Sequence, residues 1–200
     1  MLIKIRNYLA CRPAIFSFIR KCLELNFVKQ KRLVRQVFDC QDKNKKVLDV
    51  GCGTGEFAPV FRKLNYQGID ISQDYIKYAT KKDKSCFQVM DARNLDFQDE
   101  TFDYILIMAI LHHLSNEDVK KVLVESKRVL KSSGTILVME DAKISALENG
   151  LVRLFQGLDK GENIRQPGEY EDLIRQYFKI IKQKSFRSGV CVYHSFILQK

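Results

Sequence analysis

A glycine-rich turn directly after a short apolar strand constrains this chain more than any other feature. Residues 46–55 read K-V-L-D-V-G-C-G-T-G. The aliphatic first half is typical of a strand that is buried on both faces of a sheet. The second half has glycine at every second position, which permits a tight turn and the close approach of a ligand to the backbone. The glycines of this turn are Gly51, Gly53 and Gly55.

The residues around the turn indicate which ligand it suits. Apolar residues recur at helical spacing from Phe57 to Leu64, so we expect a unit of strand, turn and helix. A dinucleotide-binding turn has the spacing G-x-G-x-x-G and holds pyrophosphate at the helix N-terminus. Here the third glycine comes one position early, and Glu56 puts a negative charge where the pyrophosphate would lie. The turn therefore favours a ligand without phosphate, and Asp49 at the strand end suits a cationic amine.

Length and composition predict one globular domain. The 200 residues are 46% hydrophobic and 29% charged, and no stretch approaches the ~20 apolar residues of a membrane span. A lysine-rich surface explains the net charge of +10 most simply, and the alternative is an acidic partner such as a membrane surface or nucleic acid. The six cysteines are scattered without a C-x-x-C pair, which argues against disulfides and zinc and favours a cytoplasmic location.

Residues 1–44 are predicted to form a helical extension before the first strand. Their apolar residues recur at helical spacing, first on one face and then on another that runs from Phe27 to Phe38. The simplest interpretation is one or two helices that pack on the sheet or cap a pocket. The alternative is an interfacial segment within residues 1–38 that contacts an anionic membrane. The first apolar face consists of Ile15, Phe18, Ile19, Cys22 and Leu23.

Strands and helices alternate through the middle of the chain. After the strand that carries Asp49, two short strands end near Asp70 and Asp91, and longer ones cover residues 102–110 and 135–139. Repeated β-α-β order predicts a parallel sheet with helices on both faces. Ligands of such sheets bind over the carboxyl ends of the strands. The three aspartates are therefore expected to share one site.

The last fifty residues predict a different arrangement. Residues 144–158 and 170–178 have helical patterns on either side of a polar loop. Two β-rich runs, residues 179–186 and 190–198, then flank a short turn that contains Gly189. This pattern predicts an antiparallel hairpin that closes the parallel sheet.

Five segments in order resemble class I S-adenosylmethionine-dependent methyltransferases. They are V-L-D-V-G-C-G-T-G, G-I-D-I-S, V-M-D-A-R-N-L, F-D-Y-I-L-I-M-A-I-L-H-H-L and R-V-L-K-S-S-G-T-I-L-V-M-E. The resemblance covers residues 45–200, which we expect to form the methyltransferase domain. It implies a doubly wound, mostly parallel α/β sheet of seven strands in the order 3-2-1-4-5-7-6, with the last strand antiparallel and helices on both faces.

The resemblance also implies residues that bind S-adenosylmethionine and its product S-adenosylhomocysteine. Asp49 and the turn would hold the amino acid end of the cofactor, and Asp70 would accept both ribose hydroxyls. Asp91 would accept the adenine amino group, with the amide of Ala92 donating to the ring. The adenine would lie between Ile71 and Tyr75, and the backbone at Met108 would line the methionine side. The turn residues in this set are Gly51, Cys52, Gly53 and Gly55.

The implied chemistry is an in-line displacement at the methyl carbon, for which a protein mainly supplies proximity, alignment and exclusion of water. His112 and His113 follow the fourth strand at the edge of the expected site. His113 is a candidate general base or substrate contact, and His112 a candidate substrate contact, although such a pair is often structural. No metal is expected, because adjacent residues do not easily point at one ion and no third ligand is near in sequence.

The acceptor is narrowed mainly by motifs that are missing. The fourth strand ends in M-A-I-L rather than in the Pro-Pro motif of enzymes that methylate amino groups of bases, and no Pro-Cys nucleophile occurs. A small, lipid-like or anionic molecule is therefore favoured. Arg165, in the loop of residues 158–170, is a candidate contact for an anionic acceptor, and the favoured alternative is that it pairs with a local carboxylate and orders its own loop.

The sequence is also compatible with two other functions. One is an RNA methyltransferase that uses the basic surface. The other is a cofactor-binding partner subunit without turnover of its own. The oligomeric state does not follow from the sequence.

Overall fold

One seven-stranded sheet organises the protein, for which the computed structural model describes residues 12–83, 86–141 and 163–200. Its strands are β1 (Lys46–Val50), β2 (Asn65–Asp70), β3 (Cys86–Val89), β4 (Phe102–Met108), β5 (Leu130–Asp141), β6 (Lys179–Ser188) and β7 (Cys191–Gln199). Their order, β3-β2-β1-β4-β5-β7-β6, confirms the predicted topology. The predicted helix at 144–158 and the loop residues 158–162 lie outside the described residues.

Five α-helices accompany the sheet within the described ranges. They are α1 (Pro13–Leu23), α2 (Val28–Val37), α3 (Gln73–Lys82), α4 (Asn116–Val129) and α5 (Pro167–Arg175). Ser72 and Ser115 cap α3 and α4, because each hydroxyl accepts a backbone N–H of the first turn. These caps fix where each helix leaves the carboxyl edge of the sheet.

Strand pairing brings the predicted site residues to one edge. β1 pairs in parallel with β2 and β4, and β2 pairs in parallel with β3. Asp49 therefore lies beside Gly68 on one side and Leu106 on the other. β7 runs antiparallel to β5 and β6, which confirms the predicted hairpin. The carboxyl ends of β1 to β4 thus meet at the same edge.

Both faces of the sheet are covered by apolar packing. Val50, Ile105 and Ile107 belong to the cluster beneath α4 and α5. Val47, Leu106 and other residues of the opposite face pack with α2. The central strands are therefore buried on both sides, as their continuous apolar runs indicate.

Two local predictions need correction. The helix expected after the glycine turn is only a short 3-10 helix, Ala58–Phe61, because β2 begins at Asn65 and leaves no room for several helical turns. Its apolar residues are nevertheless buried, as expected. The fifth strand, predicted at residues 135–139, is longer, because β5 begins at Leu130 and includes Gly134.

The N-terminal helices exist as predicted, but the apolar side of α1 is not its buried side. Phe18 is 67% exposed and Cys22 is exposed. Ser17 and Glu24 are the buried residues on this segment, at 3% and 0% exposure. The inversion arises because Glu56 and Tyr193 hydrogen-bond to Ser17 and Glu24 on the inner side of this segment.

Candidate active site

The glycine turn, residues 51–55, forms the floor of the site at the end of β1. Gly51 has φ +69°, and a Cβ there would lie 2.1 Å from Cγ2 of Ile110. The space at Gly51 is therefore filled by Ile110 of the loop after β4, rather than kept for a ligand. At Gly53, with φ +52°, a Cβ would meet no atom of the described residues within 4 Å. Gly53 is thus the position where the turn faces open space.

Asp70 ties the turn to the start of α3. One carboxylate oxygen accepts the N–H of Gly53 at 2.9 Å, and the other accepts the N–H of Ser72 at 2.8 Å. Burial raises the pKa of Asp70, and the two backbone N–H groups partly offset that rise. Both oxygens keep further acceptor capacity, because a carboxylate oxygen has two lone pairs.

Asp49 lies below the turn and is 3% exposed. Its carboxylate accepts the hydroxyl proton of Tyr66 at 2.8 Å. Burial raises the pKa of Asp49 to about 7, with the Tyr66 hydrogen bond opposing the rise and Asp70 adding to it. The charge of Asp49 therefore changes near neutral pH.

Asp91 lies beside Asp70, since the backbone N–H of Met90 donates to the carbonyl of Asp70 at 3.1 Å. Its carboxylate already accepts a forked pair from Arg93, with Nη2 2.7 Å and Nε 3.1 Å from Oδ2. The Arg93 side chain lowers the pKa of Asp91. Any further ligand of Asp91 therefore shares the carboxylate with a guanidinium. Ala92 is partly buried at the same strand end.

The two residues expected to hold an adenine have different surroundings. Ile71 is 67% exposed. Tyr75 stacks on Phe16 of α1, with ring centroids 5.6 Å apart and planes 19° apart. The N-terminal helix therefore borders the site directly. No sequence pattern indicates this role for Phe16, because it lies off the apolar face of α1.

Glu56 joins α1 and α3 to the end of the turn. Its carboxylate pairs with Lys21 at 3.1 Å and with Lys82 at 2.7 Å, and it accepts the hydroxyl of Ser17. Burial alone would raise the pKa of Glu56, but the bonds from Lys82 and Ser17 outweigh it and lower the pKa. Glu56 therefore links α1 and α3 to the end of the glycine turn through ion pairs.

Glu140, at the end of β5, holds the loop that follows β4. Its carboxylate accepts the backbone N–H of Ile110 at 3.0 Å and of Leu111 at 2.9 Å. It also lies 2.9 Å from Nδ1 of His112. Sequence reasoning missed Glu140, and the available signal was the adjacent carboxylates of Glu140 and Asp141 at the end of an apolar strand. This anchor fixes the loop whose Ile110 covers Gly51.

The two histidines have opposite exposures. His112 is fully buried against Glu140, and its Nε2 lies 3.9 Å from Oδ2 of Asp141. His113 is exposed, and its ring centroid lies 4.1 Å from that of His112. Both belong to the short 3-10 helix Leu111–His113. Of the pair, His113 is the one that solvent and ligands reach.

Arg165 supports the other end of the same loop. Its guanidinium donates to the carbonyls of Leu111 at 2.8 Å and Leu114 at 2.7 Å, and to the side chain of Asn116 at 2.8 Å. The residue is 6% exposed. These partners are carbonyl and amide oxygens, whereas the sequence suggested a carboxylate partner or an anionic acceptor.

The described ranges lack both a metal-binding cluster and a membrane-spanning helix. Residues 12–83, 86–141 and 163–200 contain no group of three or more His, Cys, Asp or Glu side chains suited to a metal ion. Within the same ranges, no helix is long and apolar enough to cross a bilayer.

Comparison with known proteins finds a methyltransferase-domain match within the chain. Residues 48–138 match the family model described as a methyltransferase domain. A solved structure of a SAM dependent methyltransferase from Archaeoglobus fulgidus has the same fold, with a TM-score of 0.73 at 18% identity over 92% of this chain and 99% of that one. The match to the family model, together with the sheet order, supports the assignment of residues 48–138 to the class I S-adenosylmethionine-dependent methyltransferases.

Particular relatives differ in what they act on. The chain is 38% identical over 93 residues to the tRNA (carboxymethyluridine(34)-5-O)-methyltransferase of Arabidopsis thaliana, covering 46% of this chain and 23% of the relative. It is 30% identical over 121 residues to the phosphatidylethanolamine N-methyltransferase of Cereibacter sphaeroides, covering 54% of this chain and 59% of the relative. The chain thus spans less than two thirds of the length of either relative.

Proposed function

We propose that this protein moves the methyl group of S-adenosylmethionine to a small, lipid-like or anionic acceptor without a metal ion. The observation that carries the proposal is the placement of Asp49 and Asp70 on either side of the glycine turn, at the carboxyl ends of β1 and β2. Ligands of parallel sheets bind at this edge. The match of residues 48–138 to a methyltransferase-domain model supports the same function.

The donor set fits this cofactor. The oxygens of Asp70 keep free lone pairs while two backbone N–H groups hold them in place, which suits a ribose diol. Asp49 supplies a carboxylate for the amino group, and the open space at Gly53 leaves room beside the turn. The backbone of Gly51, Cys52 and Gly55 would complete the contacts to the amino acid end.

We assign the adenine end to Asp91 and Ala92, with Ile71 and Tyr75 beside the ring. Because Arg93 already forks onto Asp91, an amino group would share that carboxylate with it. Phe16 lies against Tyr75, so we assign residues 1–44 the role of a cap on a methyltransferase domain of residues 45–200. The cap would help to exclude water from the site.

When bound, the cofactor supplies a methyl group on a sulfonium, which an acceptor atom attacks in line. Met108 and Ile110 would form the wall beside that methyl group, held in place by Glu140. His113 is exposed next to this wall and would accept a proton from a protonated acceptor. We assign His112 and Arg165 to support of the loop, because both are buried in contacts within the protein.

The main test is cofactor binding by calorimetry with purified protein. We expect wild-type protein to bind S-adenosylmethionine and Asp70→Ala to lose the binding heat, while Asp74→Ala, an exposed neighbour on α3, binds normally. A thermal unfolding scan of each variant checks that it is folded. Unchanged binding in Asp70→Ala would refute the site assignment.

The acceptor is found by a separate experiment. A cell extract is incubated with the protein and methyl-labelled cofactor, and labelled products are identified by mass spectrometry. We expect label in small or lipid-like molecules, and equal labelling after treatment with a chelator. Loss of labelling with the chelator would contradict the metal-independent proposal, and binding without any labelled product would favour a partner subunit.

RNA is the second candidate acceptor, because the net charge is +10 and one relative is named as a tRNA methyltransferase. Phosphate contacts release counterions, so RNA binding would weaken steeply as salt rises. Label that appears in the RNA fraction of the extract, together with such a salt dependence, would favour this candidate.

A further inference from the structure

The outward side of α1 and of its connection to α2 is apolar. Phe18 is 67% exposed, Leu25 62%, Val28 60% and Ile15 36%. Ile15 and Phe18 are one helical turn apart, and the exposed Cys22 follows one turn later. Leu25, Asn26 and Phe27 all have positive φ, in the left-handed turn that joins the two helices. This surface, which we call the α1 apolar face, consists of Ile15, Phe18, Cys22, Leu25 and Val28.

Polar contacts fix the orientation of α1. On its inner side Ser17 donates to Glu56 of the glycine turn, and the buried carboxylate of Glu24 accepts from Tyr193 and from Gln30. Rotating α1 to bury its apolar residues would break these bonds, so the buried Glu24 carboxylate would keep its pair with Arg20 of α1 but lose the donors from Tyr193 and Gln30, which is costly. The apolar face is therefore held outward by the rest of the fold.

The charged side chains of residues 12–38 that reach the surface are all positive. Residues 12–38 contain seven lysines and arginines and a single acidic residue, Glu24, which is buried. Lys29, Arg32 and Arg35 of α2 are exposed next to the apolar face. Exposed aromatic and aliphatic side chains with a surrounding positive charge are the features of helices that lie in the interface of anionic bilayers. A second copy of the same surface would instead be repelled by like charge.

We propose that the α1 apolar face docks on an anionic phospholipid bilayer. Phe18, Leu25 and Val28 enter the boundary between headgroups and acyl chains, and the lysines and arginines contact the lipid phosphates. Phe16, on the inner side of the same helix, contacts Tyr75 at the edge of the site. Docking therefore places α1 between the lipid and the edge of the site. Its use for collecting a lipid-like acceptor rests on the function proposed above, whereas the docking itself does not.

Co-sedimentation of the full chain with vesicles tests the docking. Vesicles of phosphatidylcholine alone are compared with vesicles that contain phosphatidylglycerol as well. We expect binding only to the anionic vesicles, weakened by about tenfold or more in Phe18→Ser/Leu25→Ser. Lys29→Gln and Arg32→Gln should each weaken it about fivefold. Val124→Ser, which removes an exposed apolar residue from α4, is the matched control and should bind as wild type.

Three outcomes would overturn the proposal. The first is equal binding to both kinds of vesicle, or equal binding by Phe18→Ser/Leu25→Ser and wild type. The second is a self-associated wild type that becomes monomeric in this variant, which would show that a second copy covers the face. The third is a clear loss of thermal stability in the variant without vesicles, which would show that the face is packed within the chain. None of these readouts needs S-adenosylmethionine, so a failed docking and a failed methyltransferase proposal are distinguished.

Discussion

The carboxylate of Glu140 lies 2.9 Å from Nδ1 of His112, and both side chains are fully buried. Glu140 also accepts three backbone N–H groups from residues 110–112, so one carboxylate fixes the first turn after β4. The Ile110 side chain that covers Gly51 is held by this arrangement. A buried carboxyl group thus connects the end of β5 to the glycine turn.

We predict that Glu140→Ala lowers the free energy of unfolding by about 3 kcal/mol, because buried N–H donors lose a charged acceptor. Urea unfolding followed by circular dichroism measures the change. Glu117→Ala is the control, since the Glu117 side chain is 78% exposed, and it should change stability by less than about 0.5 kcal/mol. Equal stability of the two variants would show that the Glu140 contacts contribute nothing.

Cofactor affinity should depend on pH through Asp49. Its pKa of about 7 means that the buried carboxyl is largely protonated below neutral pH, and a neutral carboxyl attracts an amine weakly. Between about pH 6 and about pH 7 the ionised fraction, and with it the affinity measured by calorimetry, should rise about fivefold. In Asp49→Asn this dependence should vanish, and a persistent fivefold rise would assign the titration to another group.

The raised pKa of Asp49 also determines how the stability of the protein changes with pH. Because folding raises the pKa of Asp49 from 3.8 to about 7, its contribution to stability is fully present below about pH 3.8, falls as pH rises, and is lost once pH has risen through about 7. We predict that wild-type protein without cofactor loses stability relative to Asp49→Asn over this range. Tyr66→Phe removes the hydrogen bond that opposes the shift, so its transition should move to higher pH. Thermal unfolding at a series of pH values measures both.

Gly51 and Gly53 should differ in their tolerance of alanine. Both have positive φ, which costs an alanine about 1–2 kcal/mol. At Gly51 the new Cβ would also overlap Ile110, so Gly51→Ala should destabilise by more than about 3 kcal/mol. Gly53→Ala should lose only the conformational share, measured by urea unfolding. If both variants lose the same stability, then the Ile110 side chain moves aside without cost and does not restrict the space at Gly51.

Glu24 should determine how firmly α1 is attached. Glu24→Ala removes the acceptor for Tyr193 and Gln30, so α1 should open locally without unfolding of the sheet. Hydrogen exchange of the α1 amides should become at least about tenfold faster, while exchange in β4 stays unchanged. Lys29→Ala, an exposed substitution on α2, serves as the control. Equal acceleration in α1 and β4 would instead indicate global destabilisation.

Much of the fold follows from the sequence because its determinants are local. Apolar runs bounded by glycine and polar residues define the strands, and aspartates at strand ends mark the edge that later holds the site. Ser72 and Ser115 cap helices through neighbours three residues away. The strand order came from the family resemblance, which the sheet confirms.

The remaining features depend on partners far apart in sequence. Ser17 and Glu24 are buried because Glu56 and Tyr193, which lie 39 and 169 residues further along the chain, meet them in the fold. No periodicity in residues 13–23 reveals this, since an apolar face normally predicts the buried side. Glu140 is a similar case, because its donors lie 28–30 residues earlier, on a loop whose path the sequence does not specify.

The contact between α1 and the final hairpin links early and late parts of the chain. Gly189 lies so close to Leu23 that a Cβ would come within 1.8 Å of the Leu23 carbonyl oxygen, and that carbonyl accepts the N–H of Val190. During synthesis on the ribosome, the docking place for α1 is therefore complete only once residues 188–193 have emerged. Because α1 is synthesised long before the hairpin on which it docks, it cannot settle against the edge of the proposed site until that hairpin has been made.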